Sequence, residues 1–103
     1  MPSMSSINVT LITGAASGLG WAMARYWYAA GHHLVLADID EQALIARARE
    51  LEDSARVMTV VTDITQIDDI ASLIEQVSER FGRLDLLVNN AGITHRSPAN
   101  QTD

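Results

Sequence analysis

The 103 residues include no cysteine, 48% apolar side chains, 19% charged ones and a formal net charge of -6. That balance belongs to a folded globular chain without disulfides or thiolate metal ligands. All seven basic residues are arginines scattered among thirteen carboxylates, so the basic tract that a nucleic acid or an anionic membrane surface requires is missing. The lack of lysine excludes Schiff-base chemistry and every phosphate loop built on a lysine; a bound anion has to be gripped by backbone N–H groups. No apolar run approaches the roughly 18 residues that span a bilayer. Residues 1–6 lack a basic segment followed by an apolar one, and we expect a disordered lead-in there, a single domain over 7–103 and a cytoplasmic location.

In chain order, residues 7–12 alternate β-branched or apolar residues with small polar ones, which predicts a buried strand running into Thr13-Gly14. The period changes after Gly18. Leu19, Met23, Tyr26, Trp27 and Ala30 are expected on one face of a helix over 17–30, stopped by Gly31. A second strand is predicted over 33–37, ending at Asp38. Asp40 then caps a helix carrying Ala43, Leu44, Ala48 and Leu51. Residues 57–61 form the third strand. Ile67, Ile70, Ile74, Val77 and Phe81 at spacings of three and four predict the clearest helix, with Thr65 as N-cap, Asp68 three residues on and Gly82 as stop. A fourth strand, 84–88, empties into Asn89-Asn90-Ala91-Gly92, and 94–103 is polar and without period. The order βαβαβαβ, with crossovers of this length, predicts a doubly wound, Rossmann-type parallel sheet with helices on both faces and ligands beyond the carboxyl ends of the strands.

Each candidate site residue falls at such an end. Thr13-Gly14-Ala15-Ala16-Ser17-Gly18-Leu19-Gly20 places three glycines where a strand opens into a helix, so that backbone N–H groups can approach a pyrophosphate at the positive helix end. A tight turn with a glycine-tolerant helix start is the bland reading. Asp38 lies 20 residues beyond Gly18, where a carboxylate accepts bonds from both hydroxyls of an adenosine ribose and repels a 2'-phosphate. No arginine stands at Ser17 or Ile39 to neutralise that phosphate, which favours NAD over NADP. Asp63 can accept from an adenine amino group while the Ile64 backbone meets the ring, or it can cap its own loop. Asn89 and Asn90 can tie adjacent strands together, and Ala91-Gly92 leaves room for a nucleotide against the backbone; turn chemistry explains the same four residues.

Other candidates are weaker. His32-His33 cannot converge on a metal without a third ligand, so no metal site is expected. Tyr26 and Tyr28 are expected to pack on the first helix, Trp21 and Trp27 to face the core or a partner, and His95 to be a loop histidine.

The motifs Thr13 to Gly20, as T-G-x-x-x-G-x-G, and Asn89 to Gly92, as N-N-A-G, together make the chain resemble the N-terminal part of a short-chain dehydrogenase/reductase over nearly its whole length. The resemblance implies cofactor contacts at Gly14, Ser17, Gly18, Leu19, Gly20, Asp38, Ile39, Asp63, Ile64, Asn90, Ala91 and Gly92. It further implies hydride transfer between a nicotinamide dinucleotide and an alcohol or carbonyl substrate, in a homo-oligomer when full length. The family's catalytic serine, asparagine and tyrosine-x-x-x-lysine cannot be assigned here, since Tyr26 is followed four positions on by Ala30 and Tyr28 by His32. No catalytic residue is therefore named, and the chain is expected to be an inactive, truncated portion. The alternatives are a non-catalytic nucleotide-binding or regulatory module and part of an S-adenosylmethionine-dependent methyltransferase. The expected strand order 3-2-1-4 leaves an apolar strand at the sheet edge, a place for further strands.

Overall fold

The structure, a computed structural model, describes residues 7–52 and 55–90. Four strands, β1 (Val9–Thr13), β2 (His33–Asp38), β3 (Val57–Val61) and β4 (Leu86–Asn89), alternate with three helices, α1 (Gly18–Ala29), α2 (Glu41–Leu51) and α3 (Ile67–Phe81). All strand pairs are parallel, as the alternation predicts, and the sheet order is β3-β2-β1-β4, as the resemblance implies. Pairing of Thr13 with Ala37 and with Asn89, and of Asp38 with Val61, brings the carboxyl ends of all four strands to one rim.

Because side chains alternate across a strand, β1 and β2 feed two separate cores. On one face Ile12, Leu34 and Leu36 pack with Trp21 and Ala24 of α1 and Leu44 of α2. On the other, Val9, Leu11, Val35 and Ala37 pack with Leu73 and Val77 of α3, and Phe81 closes the cluster. β2 is buried on both faces over Leu34 to Ala37. That accounts for its unbroken apolar run.

Helix ends follow the local chemistry. The Asp40 carboxylate accepts from Ala43 N–H at 3.1 Å, capping α2, and Gly82 ends α3 in the left-handed region at φ 71°. At the start of α3 the expectation needs correcting: Gln66, not Thr65, is the N-cap. Both the hydroxyl and the N–H of Thr65 are drawn to Asp63 Oδ1, at 2.6 and 3.0 Å, which removes that side chain from the helix end.

The helical faces also differ from the periodicity reading. Leu19 and Tyr26 are exposed, while Gly20, Trp21 and Ala24 turn inward. Small residues allow α1 to lie close to the sheet, and Trp21 fills the space that remains. Tyr28 does pack, and its hydroxyl donates to the Leu51 carbonyl at 3.0 Å. On α3, Leu73 and Val77 carry the buried face. Ile67, Ile70 and Ile74 stay exposed, because the stripe is wider than the sheet surface beneath it. β4 begins later than expected, and alternate residues along it are exposed. Among the described residues its outer edge has no strand partner.

The histidine pair sits at the opposite end from the strand-end rim. His32 Nδ1 lies 2.7 Å from Thr10 Oγ1, its ring is tilted against Trp27, and the His33 ring is tilted against Phe81. No group of metal-ligating side chains occurs among the described residues, nor any helix long and apolar enough to cross a membrane. His95 lies outside the described residues.

At that same end Asp85 joins the first and last strands. Its Oδ2 accepts from Val9 N–H at 2.8 Å, and its N–H donates to the Val9 carbonyl at 2.9 Å. The Arg83 guanidinium, then the Val9 N–H, hold its carboxyl below the usual carboxylate range. A carboxyl depressed in the folded state stabilises above its unfolded value and loses that contribution as pH falls through the folded one. Asp85→Asn should therefore flatten the acid limb of a urea-midpoint titration below about pH 4. Leu36→Ala, at a fully buried position, should cost about 2–5 kcal/mol by chemical denaturation. Ile67→Ala, at 82% exposure, should stay within about 0.5 kcal/mol.

Candidate functional site

The site starts from the turn between β1 and α1. Gly14 adopts φ 62° and Gly18 φ 56°, left-handed values that side-chain-bearing residues rarely take. Gly20 answers a different demand. A Cβ placed on it would lie 2.0 Å from the Gly14 carbonyl oxygen and 2.8 Å from Asn90 Nδ2, so α1 passes too close to the end of β1 for any side chain. At Gly18 a Cβ would meet nothing within 4 Å. Two glycines therefore shape the turn, and the third permits the helix to dock.

The helix opens without a side-chain cap, since Ser17 makes none. Among the described residues no acceptor faces the N–H groups of Ser17, Gly18, Leu19 and Gly20. These are the donors a helix start leaves over, at its positive end. No acidic residue occupies the first turn to neutralise them.

Asp38 stands beside this turn at the end of β2. Its Oδ2 accepts from Ala16 N–H at 3.0 Å and its Oδ1 from Asp40 N–H at 3.1 Å. Each oxygen keeps a further lone pair for an incoming hydroxyl. Ala15 N–H donates to the Ala37 carbonyl and Thr62 N–H to the Asp38 carbonyl, so the ends of β1, β2 and β3 are laced together. Asn90 Nδ2 donates to the Gly14 carbonyl at 3.2 Å, and Thr13 Oγ1 to Asn89 Oδ1 at 3.0 Å. The two asparagine amides thus tie β4 to β1. Ala91 and Gly92 lie outside the described residues.

A cavity of about 220 Å³ opens between these ends, and Gly14, Asp38, Ile39, Thr62, Asp63 and Ile64 are among its walls. Five residues singled out in the sequence therefore meet around one space. Asp63 has a loop role as well, because Oδ1 is taken by Thr65. The Thr65 hydroxyl, then its N–H, hold the Asp63 carboxyl below the usual range, while Asp63 N–H donates to Asp69 Oδ2 at 2.9 Å. Oδ2 of Asp63 has no acceptor duty among the described residues. Leu19, by contrast, is 60% exposed, so only its N–H belongs to the turn.

Sequence reasoning missed Thr62 and Arg47, and it gave Thr65 a helix cap in place of its bonds to Asp63. The aspartate-x-threonine spacing at Asp63 was a readable turn signal. Arg47 had none. It reaches the Ala16 carbonyl from α2, 31 positions away in sequence.

A parallel α/β sheet with a glycine-rich turn after its first strand and a carboxylate after its second defines a nucleotide-binding domain of the dinucleotide type. The short chain dehydrogenase family model matches residues 8–103. An uncharacterized oxidoreductase of Mycobacterium bovis is 42% identical over 94 residues, covering 91% of this chain and 38% of that protein. A short chain dehydrogenase/reductase from Burkholderia phymatum, solved in complex with NAD, superposes with a TM-score of 0.75 at 37% identity, over 84% of this chain and 31% of that one. The N-domain of a bacterial malonyl-CoA reductase, solved with NADP, gives a TM-score of 0.77 at 31% identity, over 86% of this chain and 17% of that one. The chain belongs to the short chain dehydrogenase family. It spans little more than a third of the length of the Mycobacterium relative.

Gly20→Ala should cost more than about 3 kcal/mol, because the new methyl overlaps backbone and the helix must shift. Gly18→Ala meets only backbone strain and should cost about 1–2 kcal/mol. Thermal or urea unfolding of the two variants distinguishes the docking glycine from the turn glycine.

Proposed function

We propose that this chain is the dinucleotide-binding part of an oxidoreductase, and that it takes NAD in preference to NADP. The observation that carries the reading is the set of four N–H groups without acceptors among the described residues at the start of α1, next to the Asp38 carboxylate. Ser17, Gly18, Leu19 and Gly20 would receive the pyrophosphate through backbone alone, as a chain without lysine requires. Asp38 would accept the ribose hydroxyls, and its charge would repel a 2'-phosphate. The space between Ile39 and Ile64, with Asp63 at its side, would take the adenine ring. By the family motif, Ala91 and Gly92 would line the cofactor cleft as well.

When bound, the nicotinamide supplies the hydride chemistry for an alcohol or carbonyl substrate. This chain's own residues bind and orient the cofactor. Proton transfer requires groups other than those described, since the chain contains no lysine and its two tyrosines are on α1, with Tyr28 bonded to Leu51.

Calorimetric titration tests the reading. NAD should saturate a single site, with NADP weaker and S-adenosylmethionine inert. Asp38→Ala should weaken NAD by about 10- to 100-fold, the worth of hydrogen bonds to a charged group, and should narrow the gap to NADP. Saturation by S-adenosylmethionine without NAD binding, or an Asp38→Ala variant with unaltered NAD affinity, would overturn it.

A further inference from the structure

Ala16 is 3% exposed, and its two backbone polar groups are held from opposite sides. Its N–H donates to Asp38 Oδ2 at 3.0 Å, and its carbonyl accepts from Arg47 Nε at 2.9 Å. The guanidinium of Arg47 is itself fixed on two further sides. It sits 4.9 Å from the centroid of the Trp21 ring, and its Nη1 donates to Glu50 Oε2 at 2.8 Å. A planar, delocalised cation suits this place, since it can donate in its plane while lying against an aromatic ring.

In the turn of Gly14, Ala15, Ala16 and Ser17 the methyl groups of Ala15 and Ala16 are buried in the core, but a methyl group fixes where the turn lies more than which way its peptide units point. Ala15 is anchored by its N–H to the Ala37 carbonyl. The next two peptide units need other partners, and Asp38 and Arg47 supply one each. The Ala16–Ser17 peptide is trans, like every described peptide bond, so the Ser17 N–H points opposite to the carbonyl that Arg47 holds. Arg47 thereby sets the direction of an N–H without an acceptor among the described residues. It also steadies the alanine that orients the Asp38 carboxylate.

We propose that Arg47 is a positioning residue for the cofactor turn: by clamping the Ala16 carbonyl from behind, it holds Asp38 and the Ser17 N–H in register for the ribose and pyrophosphate without touching either. The proposal rests on the dinucleotide reading above and adds to it a residue outside the glycine motif, held on α2. It assigns a function to the Arg47–Trp21 contact, which joins the helix after β2 to the helix that opens the turn.

The experiment uses the full chain with Arg47→Met, which keeps an apolar stem against Trp21 and removes the donor, and Arg47→Lys, which restores a donor. Glu50→Gln serves as control, because it removes the charge facing Nη1 but leaves the Nε bond. Without ligand, Arg47→Met should speed hydrogen exchange at the Ala16 amide at least 10-fold while the melting temperature changes little, and Arg47→Lys should recover most of the protection. With NAD, Arg47→Met should weaken binding about 5- to 20-fold, Arg47→Lys by less than half as much, and Glu50→Gln by less than 2-fold. In an Asp38→Ala background the Arg47→Met penalty on NAD should fall by at least half, because part of what the arginine positions is gone.

Unchanged Ala16 exchange in Arg47→Met overturns the clamp whatever the affinity does. Penalties of Arg47→Met and Asp38→Ala that simply multiply would show that the arginine does not act through that carboxylate. A loss confined to NADP would mean direct contact with a 2'-phosphate, and would also refute it. Failure of the unaltered chain to take up NAD defeats the dinucleotide reading instead, and the exchange measurement then still decides whether Arg47 holds the turn.

Discussion

The structure depends on one close approach, that of α1 to the end of β1. With a hydrogen in place of a Cβ at Gly20, the helix start can lie against the Gly14 carbonyl, where a side-chain carbon would stand at 2.0 Å. Everything at the strand-end rim is organised around that contact. It leaves the first N–H groups of the helix at the end of β1, and the Asn90 amide reaches the same Gly14 carbonyl. In the function proposed above, a chain with no lysine would hold a diphosphate there, its charge met by aligned dipoles and N–H groups rather than by a side-chain cation.

The rim is rigid because each strand end is bonded to its neighbour by groups that also belong to the site. Asp38 illustrates the economy. Its backbone carbonyl receives Thr62 N–H, one carboxylate oxygen steadies Ala16 and the other steadies Asp40. Those bonds orient the carboxylate before any ligand arrives, which lowers the ordering cost of binding. Asp63 behaves similarly, with one oxygen spent on Thr65 and the other turned to no described donor. Both cores of the sheet converge beneath this rim, so the site rests on β1 and β2, the most buried strands.

The side of the sheet bearing α3 has a different character. Ile70 and Ile74 of α3 and Leu87 of β4 remain substantially exposed, and together with Leu11, Leu73 and others they border a groove of about 200 Å³. The interior-type composition of β4 and its half-exposed position are thus at odds, and an unpaired, apolar strand edge is a place where further structure adds.

By itself the sequence determined the element order, the parallel sheet, the strand-end location of the candidate residues and the family, because these rest on short-range signals: period, glycine spacing, a capping aspartate. Val57 to Val61 and the Asp40 cap could be read directly for that reason. Only the tertiary structure decided which faces are buried and which distant groups meet. Leu19, Tyr26 and Ile67 are as apolar as their buried neighbours, yet nothing packs over them enough to bury them, and periodicity carries no information about how wide the opposing surface is. Thr65 left its expected capping role because Asp63 competed for it. Arg47 reaches the Ala16 carbonyl only because α2 folds back across the sheet beside α1, and a contact made across 31 residues of chain leaves no mark in local pattern.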